Sequence, residues 1–263
     1  MEFAQSFILG LLQGLTEFLP VSSSGHLVIL QSFMGLDDAA KNISYDIFLH
    51  IATLLAVSWA YRKDLGYIFA SDVVGEGDGA IPKWRLLGFL LISIVATGIV
   101  LPFKDGLEAM FESVKGVRVL MIINGAALGI LPMLRKGQAS LISLSWLGAA
   151  IIGLAQAVGA FPGISRSGST IIAGLLLGLS PREACKYSFL LSIPTVILAA
   201  LFQIPDAMTL GLAFEIGPAM TGFAIAFIIG LGSIPLLIGI VEKGRLWGFA
   251  IYCAFIGIGL FFV

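Results

Sequence analysis

Glu17, His26 and Arg166 are ionisable side chains set inside otherwise apolar sequence. Glu17 and His26 belong to GLLQGLTEFLPVSSSGHLVIL, from Gly10 to Leu30. Arg166 belongs to GLAQAVGAFPGISRSGSTIIA, from Gly153 to Ala173. Each segment runs apolar, breaks at a proline (Pro20, Pro162), passes through a serine-rich turn and becomes apolar again. An ionisable group at membrane depth is costly, so such a residue marks a functional site by default.

Of the 15 Lys and Arg residues, Arg166 alone finds no place in a loop. A guanidinium there needs an anion. Glu17 is one candidate, as a structural ion pair; a phosphate suits the planar fork better, because it binds bidentately. The turns SSSGH and SRSG each set hydroxyls and a glycine just ahead of an apolar helix, which is an N-cap followed by N–H groups facing an anion. One serine suffices for capping. Ser22, Ser23, Ser24, Ser165, Ser167 and Thr170 exceed that need, and with Arg166 they form a candidate phosphate cradle.

Gln13 and Glu17 are four residues apart, on one face of a helix. A carboxylate beside an amide oxygen suits a hard divalent cation that also contacts phosphate oxygens. Glu17 is alternatively a base for a hydroxyl or water. The second segment carries Gln156 and Ala160 at the matching places, so the carboxylate exists in one half only. His26, on the opening turn of the next helix, is a candidate general acid, general base or nucleophile. A lone histidine is more often a hydrogen-bonded core residue, but the serine turn beside it raises the catalytic reading. Asp46 and His50 read as supporting or interfacial groups.

These residues need a scaffold, and composition sets its class. The chain has 263 residues, 58% of them hydrophobic and 12% charged, and its mean hydropathy is +1.02. Soluble domains carry roughly 25% charged residues. The expected class is an all-α integral membrane protein, since the apolar runs are long and lack the alternation of a barrel. No basic cluster suggests nucleic acid. Cys185 and Cys253 are too far apart to suggest a metal or disulfide framework. The N-terminal residues do not read as a cleaved signal peptide.

Six spans are predicted, at Tyr45–Tyr61, Leu86–Leu101, Val117–Leu134, Tyr187–Phe202, Gly217–Ile240 and Leu246–Phe262. Met1–Gly35 and Trp146–Leu179, each split by Pro, Gly and Ser, read as re-entrant helical hairpins, which are tolerated where protein or a water-filled cavity surrounds them. The hairpins repeat one another: a shift of 143 positions gives 11 identities in 29 between Ile8–Leu36 and Ile151–Leu179. Residues 1–263 then form a single membrane domain, with repeats at about 1–134 and 146–263. Three spans between the hairpins invert the second repeat, an architecture also used by transporters. Ten Lys and Arg residues (62, 63, 83, 85, 135, 136, 182, 186, 243 and 245) fall on one side and four (41, 104, 115 and 118) on the other. The first group is cytoplasmic by the positive-inside rule, which puts the C-terminus outside and brings the serine turns together near the middle of the membrane.

QGLTEFLPVSSSGH (Gln13–His26) and PGISRSGST (Pro162–Thr170) resemble the two signature motifs of the undecaprenyl-diphosphate phosphatase family of bacitracin-resistance membrane proteins, and the whole chain agrees in length and helix order. Gln13 stands where that family has Glu or Gln; a Gln weakens a two-carboxylate metal site. The resemblance implies a bacterial inner-membrane enzyme, active toward the outer, periplasmic face. It would hydrolyse undecaprenyl diphosphate with Mg²⁺ or Ca²⁺, and it leaves room for a homodimer. The expected roles are cation binding by Glu17 and Gln13 and phosphate binding by Arg166 and the hydroxyls. Ser23 is the favoured nucleophile, activated by Glu17 or His26; His26 itself is second and a water third. The rival reading is a transporter of polyprenyl phosphate or another anion through the same site. A structural scaffold leaves the buried charges without purpose.

Overall fold

The computed structural model describes residues 2–36, 39–75, 80–103, 106, 114–130, 137–210 and 215–262; the side chains of 39–41, 115 and 203–210 are not described. The described chain is almost entirely helical. Its elements are α1 (Phe3–Thr16), α2 (Ser23–Phe33), α3 (Ala39–Ala60), α4 (Arg62–Ala70), the strands β1 (Val73–Val74) and β2 (Ile81–Pro82), α5 (Lys83–Thr97), α6 (Val114–Ile130), α7 (Trp146–Val158), α8 (Arg166–Leu176), α9 (Pro181–Leu210), α10 (Ile216–Glu242) and α11 (Trp247–Gly259). The strands form one short antiparallel hairpin, with Val73 opposite Pro82.

Among the described residues, four helical stretches are long and apolar enough to cross a membrane: Asn42–Ala60, Lys83–Phe103, Pro181–Phe202 and Ile216–Glu242. The second continues α5 through a 3₁₀ turn, Gly98–Phe103. The other two expected spans contain the shorter apolar helices α6 and α11; residues 131–134 of the expected Val117–Leu134, and Lys104, Arg135 and Lys136 of the charge tally, lie outside the described residues. α2 and α8 have 11 residues each, about 16 Å of helix, roughly half a hydrocarbon core.

Packing follows the repeat in a crossed fashion. α1 lies along α10 and α7 along α5, while α3 meets α9 and α6 meets α11. Glycine permits the crossed contacts: a Cβ on Gly10 would overlap the carbonyl oxygen of Gly222, and one on Gly153 that of Ser93. Close backbone approach of this kind is how helices associate in lipid, where burying apolar surface against a neighbour gains little. Matching polar contacts accompany it. Gln13 Nε2 donates to Thr53 Oγ1 at 3.4 Å, and Gln156 Nε2 to Thr195 Oγ1 at 3.1 Å.

The largest buried side chains include Tyr45, Tyr187, Phe18, Phe89 and Phe189. Phe18 and Phe189 meet edge to face with centroids 5.6 Å apart. Leu91, Val95, Ile228 and Phe255 point outward, as do many other large apolar residues. A soluble monomer rarely presents such a surface; here it matches lipid.

Candidate functional site

The two broken segments meet at their serine turns. After α1 the chain bends through Pro20, and Ser22 caps α2 in the left-handed region, at φ 70° and ψ 93°. A non-glycine residue there is uncommon and marks a constraint imposed from outside the turn. That constraint is visible: Ser22 Oγ accepts from the Gly25 N–H at 3.2 Å and from the Gly163 N–H of the other turn at 2.9 Å. Gly163, at φ 106°, lies where a Cβ would stand 2.7 Å from the Val117 carbonyl oxygen. Ser165 caps α8, its Oγ accepting from the Gly168 N–H at 3.0 Å. Asn124, on α6, ties the turns from behind. Its Nδ2 donates to the Pro20 carbonyl and its Oδ1 accepts from the Ser165 N–H, both at 3.0 Å.

Ser23 opens α2 and Arg166 opens α8. Under the 143-residue shift they are the same position of the repeat. Both reach one carboxylate, that of Glu17. Ser23 Oγ donates to Glu17 Oε2 at 2.6 Å, and Arg166 Nη2 donates to Glu17 Oε1. Gln13 Nε2 donates to Oε2 at 3.1 Å, and His50 Nε2 stands 3.5 Å from it. The Glu17 side chain is only 5% exposed. A buried carboxylate is tolerated when it is paired and hydrogen-bonded, and Glu17 has both kinds of partner. Its narrow cleft is also lined by Thr53, Leu54, Val57 and Ser192.

The remaining hydroxyls are engaged close to home. Ser24 Oγ lies 3.4 Å from Ser22 Oγ, and Ser167 Oγ lies 3.1 Å from Ser165 Oγ. Thr170 Oγ1 bonds Ser188 Oγ at 2.6 Å. Ser22, read from sequence as a phosphate contact, has two N–H groups on its oxygen. His26 turns away from Glu17: Nδ1 lies 2.7 Å from the Ser22 carbonyl and Nε2 lies 2.8 Å from the Tyr252 hydroxyl on α11. A carbonyl only accepts, so Nδ1 carries the proton and the tyrosine O–H donates to Nε2. Of the sequence candidates, Gln13, Glu17, Ser23 and Arg166 are therefore drawn into direct contact, and the rest shape the turns around them.

A divalent cation can be tested against this donor set. Gln13 Oε1 is buried with no hydrogen-bond partner, four residues from Glu17. The amide turns Nε2 to Glu17 as it stands; turned over, it would set an oxygen beside the carboxylate, chemistry suited to Mg²⁺ or Ca²⁺. No group of three or more His, Cys, Asp or Glu residues occurs among the described residues, so phosphate oxygens and water would complete the shell.

Two contributors, Asn124 and Tyr252, escaped the sequence reading, and one gains a definite place. His50, read as supporting or interfacial, stands beside Glu17. Asn124 and Tyr252 went unnoticed; a lone polar residue within an apolar run was the available signal.

The chain is thus a multi-pass helical membrane protein in which a carboxylate, a guanidinium and a hydroxyl converge where two broken segments meet. The family model described as "Bacitracin resistance protein BacA" matches residues 6–259, and the chain belongs to that family. Curated relatives are named "Undecaprenyl-diphosphatase". That of Syntrophotalea carbinolica is 40% identical, over 100% of this chain and 98% of its own length. That of Desulfosudis oleivorans is 37% identical over 98% and 97%, and that of Methanosphaera stadtmanae 36% over 98% and 96%.

Proposed function

We infer that this protein is an undecaprenyl-diphosphatase: it hydrolyses undecaprenyl diphosphate to undecaprenyl phosphate and inorganic phosphate, recycling the lipid carrier of cell-wall synthesis. The convergence of Ser23 and Arg166 on Glu17, in a chain of this family, carries the reading. The names of the relatives favour hydrolysis over the carrier alternative.

The prenyl tail lies among the helices and the diphosphate enters the cleft. Arg166 exchanges part of its contact with Glu17 for non-bridging phosphate oxygens, and the N–H groups at the starts of α2 and α8 add to that field. Glu17, released from the guanidinium, takes the Ser23 proton as Oγ attacks the terminal phosphorus. The Oγ–P bond forms, the bridging P–O bond breaks and undecaprenyl phosphate departs. A water then cleaves the phosphoserine, and Ser23 recovers its proton. Glu17 and the Gln13 amide oxygen would hold Mg²⁺ or Ca²⁺, which when bound supplies charge neutralisation on the phosphate oxygens. His26, held by Tyr252 and Ser22, orients the turn in this scheme and is the reserve nucleophile.

The architecture proposed is six spans and two inverted re-entrant hairpins in a single domain of two repeats. The crossed packing of α1 on α10 and α7 on α5 supports it, as do the half-membrane lengths of α2 and α8. Charge bias supports an orientation with the C-terminus outside, and membership of the family supports a plasma-membrane site open to the outer, periplasmic face. Lys186 with Asp64 (2.5 Å) and Arg182 with Glu242 (3.9 Å) join residues on the side expected to be cytoplasmic. A homodimer is the proposed assembly by analogy alone.

The test is phosphate release from a short-chain prenyl diphosphate by purified protein in detergent, with and without chelator. Release that stops on chelation and returns with Mg²⁺ or Ca²⁺ is expected. Binding without release would reassign the protein as a carrier.

A further inference from the structure

His50 faces two acceptors. Its Nδ1 lies 2.7 Å from the Asp46 carbonyl oxygen. That oxygen can only accept, so Nδ1 carries a hydrogen and the neutral ring presents a bare Nε2 lone pair. The lone pair faces Glu17 Oε2 at 3.5 Å. A neutral ring sets a lone pair against a carboxylate oxygen, an arrangement that a positive charge between them relieves. A proton would serve, but charge-assisted N–H···O bonds close to about 2.7–2.9 Å. Two ligands bonded to one divalent ion at about 2.1 Å stand roughly 3.0–3.5 Å apart. The observed gap is cation-sized.

Two further features agree. A metal-bound imidazole almost always donates its other N–H to a carboxylate or a carbonyl, which fixes the tautomer, and the Asp46 carbonyl does this for His50. The orphaned Gln13 Oε1 is the third donor atom. Gln13 Nε2 bonds both Glu17 Oε2 and Thr53 Oγ1, so turning the amide over brings its oxygen to the same side as Oε2. Thr53 follows His50 by three residues and lies one turn along α3.

We propose that His50 is a protein ligand of the divalent cation, completing with Glu17 and Gln13 a mixed nitrogen–oxygen site. The proposal rests on the cation reading of Glu17 given above and deepens it. An imidazole nitrogen shifts preference from Ca²⁺ toward ions that accept nitrogen, such as Mn²⁺. The site should therefore bind Mn²⁺ more tightly than Ca²⁺.

Mn²⁺ itself is the probe. Electron spin-echo modulation of Mn²⁺ titrated into the purified, full-length protein should show a coupled imidazole ¹⁴N in the wild type, where no substitution can disturb the fold. His50→Gln should remove that signal and weaken Mn²⁺ binding by about tenfold or more, with a much smaller change for Ca²⁺. Bound Mn²⁺ without ¹⁴N coupling, a ¹⁴N signal that persists in His50→Gln, or no Mn²⁺ binding at all overturns the proposal. Each readout is independent of phosphate release, so hydrolysis by a protein lacking the ¹⁴N signal would sink the histidine ligand and leave the enzyme assignment standing.

Discussion

Ser23 and Arg166 are the same position of two repeated segments, and each bonds a different oxygen of Glu17. At this position of the two similar turns one supplies a hydroxyl and the other a cation. The carboxylate between them has a counterpart alanine, Ala160, in the second copy.

Ser23→Ala should lower kcat by at least a hundredfold, the usual scale for losing a positioned proton-transfer partner or nucleophile. KM should change little, since Ser23 contributes one hydroxyl to binding. Steady-state phosphate release checks this. Turnover within tenfold of wild type would move the nucleophile elsewhere.

Arg166→Ala removes a cation from a buried pair and leaves the Glu17 carboxylate poorly compensated, a change of roughly 3–5 kcal/mol in comparable cases. Loss of turnover and a lower melting temperature are both expected. Glu17→Gln added to Arg166→Ala should restore part of the stability and none of the activity. The double-mutant cycle, read by thermal unfolding in detergent, separates the ion pair from the chemistry.

Asn124→Leu should weaken the registration of the two turns. It strands the Pro20 carbonyl and the Ser165 N–H, each a buried group whose loss of a partner costs about 1–3 kcal/mol. The expected readout is a fall in melting temperature with a fall in kcat, because Arg166 follows Ser165 directly. An unchanged kcat would show that the turns keep register without it.

Ser22 combines a strained backbone with a bridging hydroxyl, and two substitutions separate these. Ser22→Ala loses the bond from Gly163 and keeps the unfavourable φ. Ser22→Gly loses the same bond and relieves the φ, worth about 1 kcal/mol or more. The glycine variant should melt above the alanine variant. The reverse order would place the constraint elsewhere.

Much of this arrangement is legible in the chain because its signals are local. The proline breaks, the N-cap serines and the identities between Ile8–Leu36 and Ile151–Leu179 mark both broken segments, and Glu17 and Arg166 stand out because charge is expensive in hydrocarbon. What resists reading is lateral. Nothing in the sequence says that His26 turns to Tyr252, 226 positions away. Nor does it say that Asn124 spans both turns, since a single asparagine in an apolar helix has several neighbours to choose from. Nor does the hydroxyl count show which partners each group takes within the protein: Ser22 and Ser165 accept from backbone N–H groups near their helix starts, and Thr170 bonds Ser188.

The crossed packing bears on how the molecule is made. α1 leaves the ribosome well before α10, yet the groove that receives Gly10 is formed by Gly222, more than two hundred residues later. Until α10 arrives, the first broken helix and its buried glutamate have no permanent berth. Neither half can mature alone, and co-expressed halves split in the 131–145 connection should accumulate only as a pair.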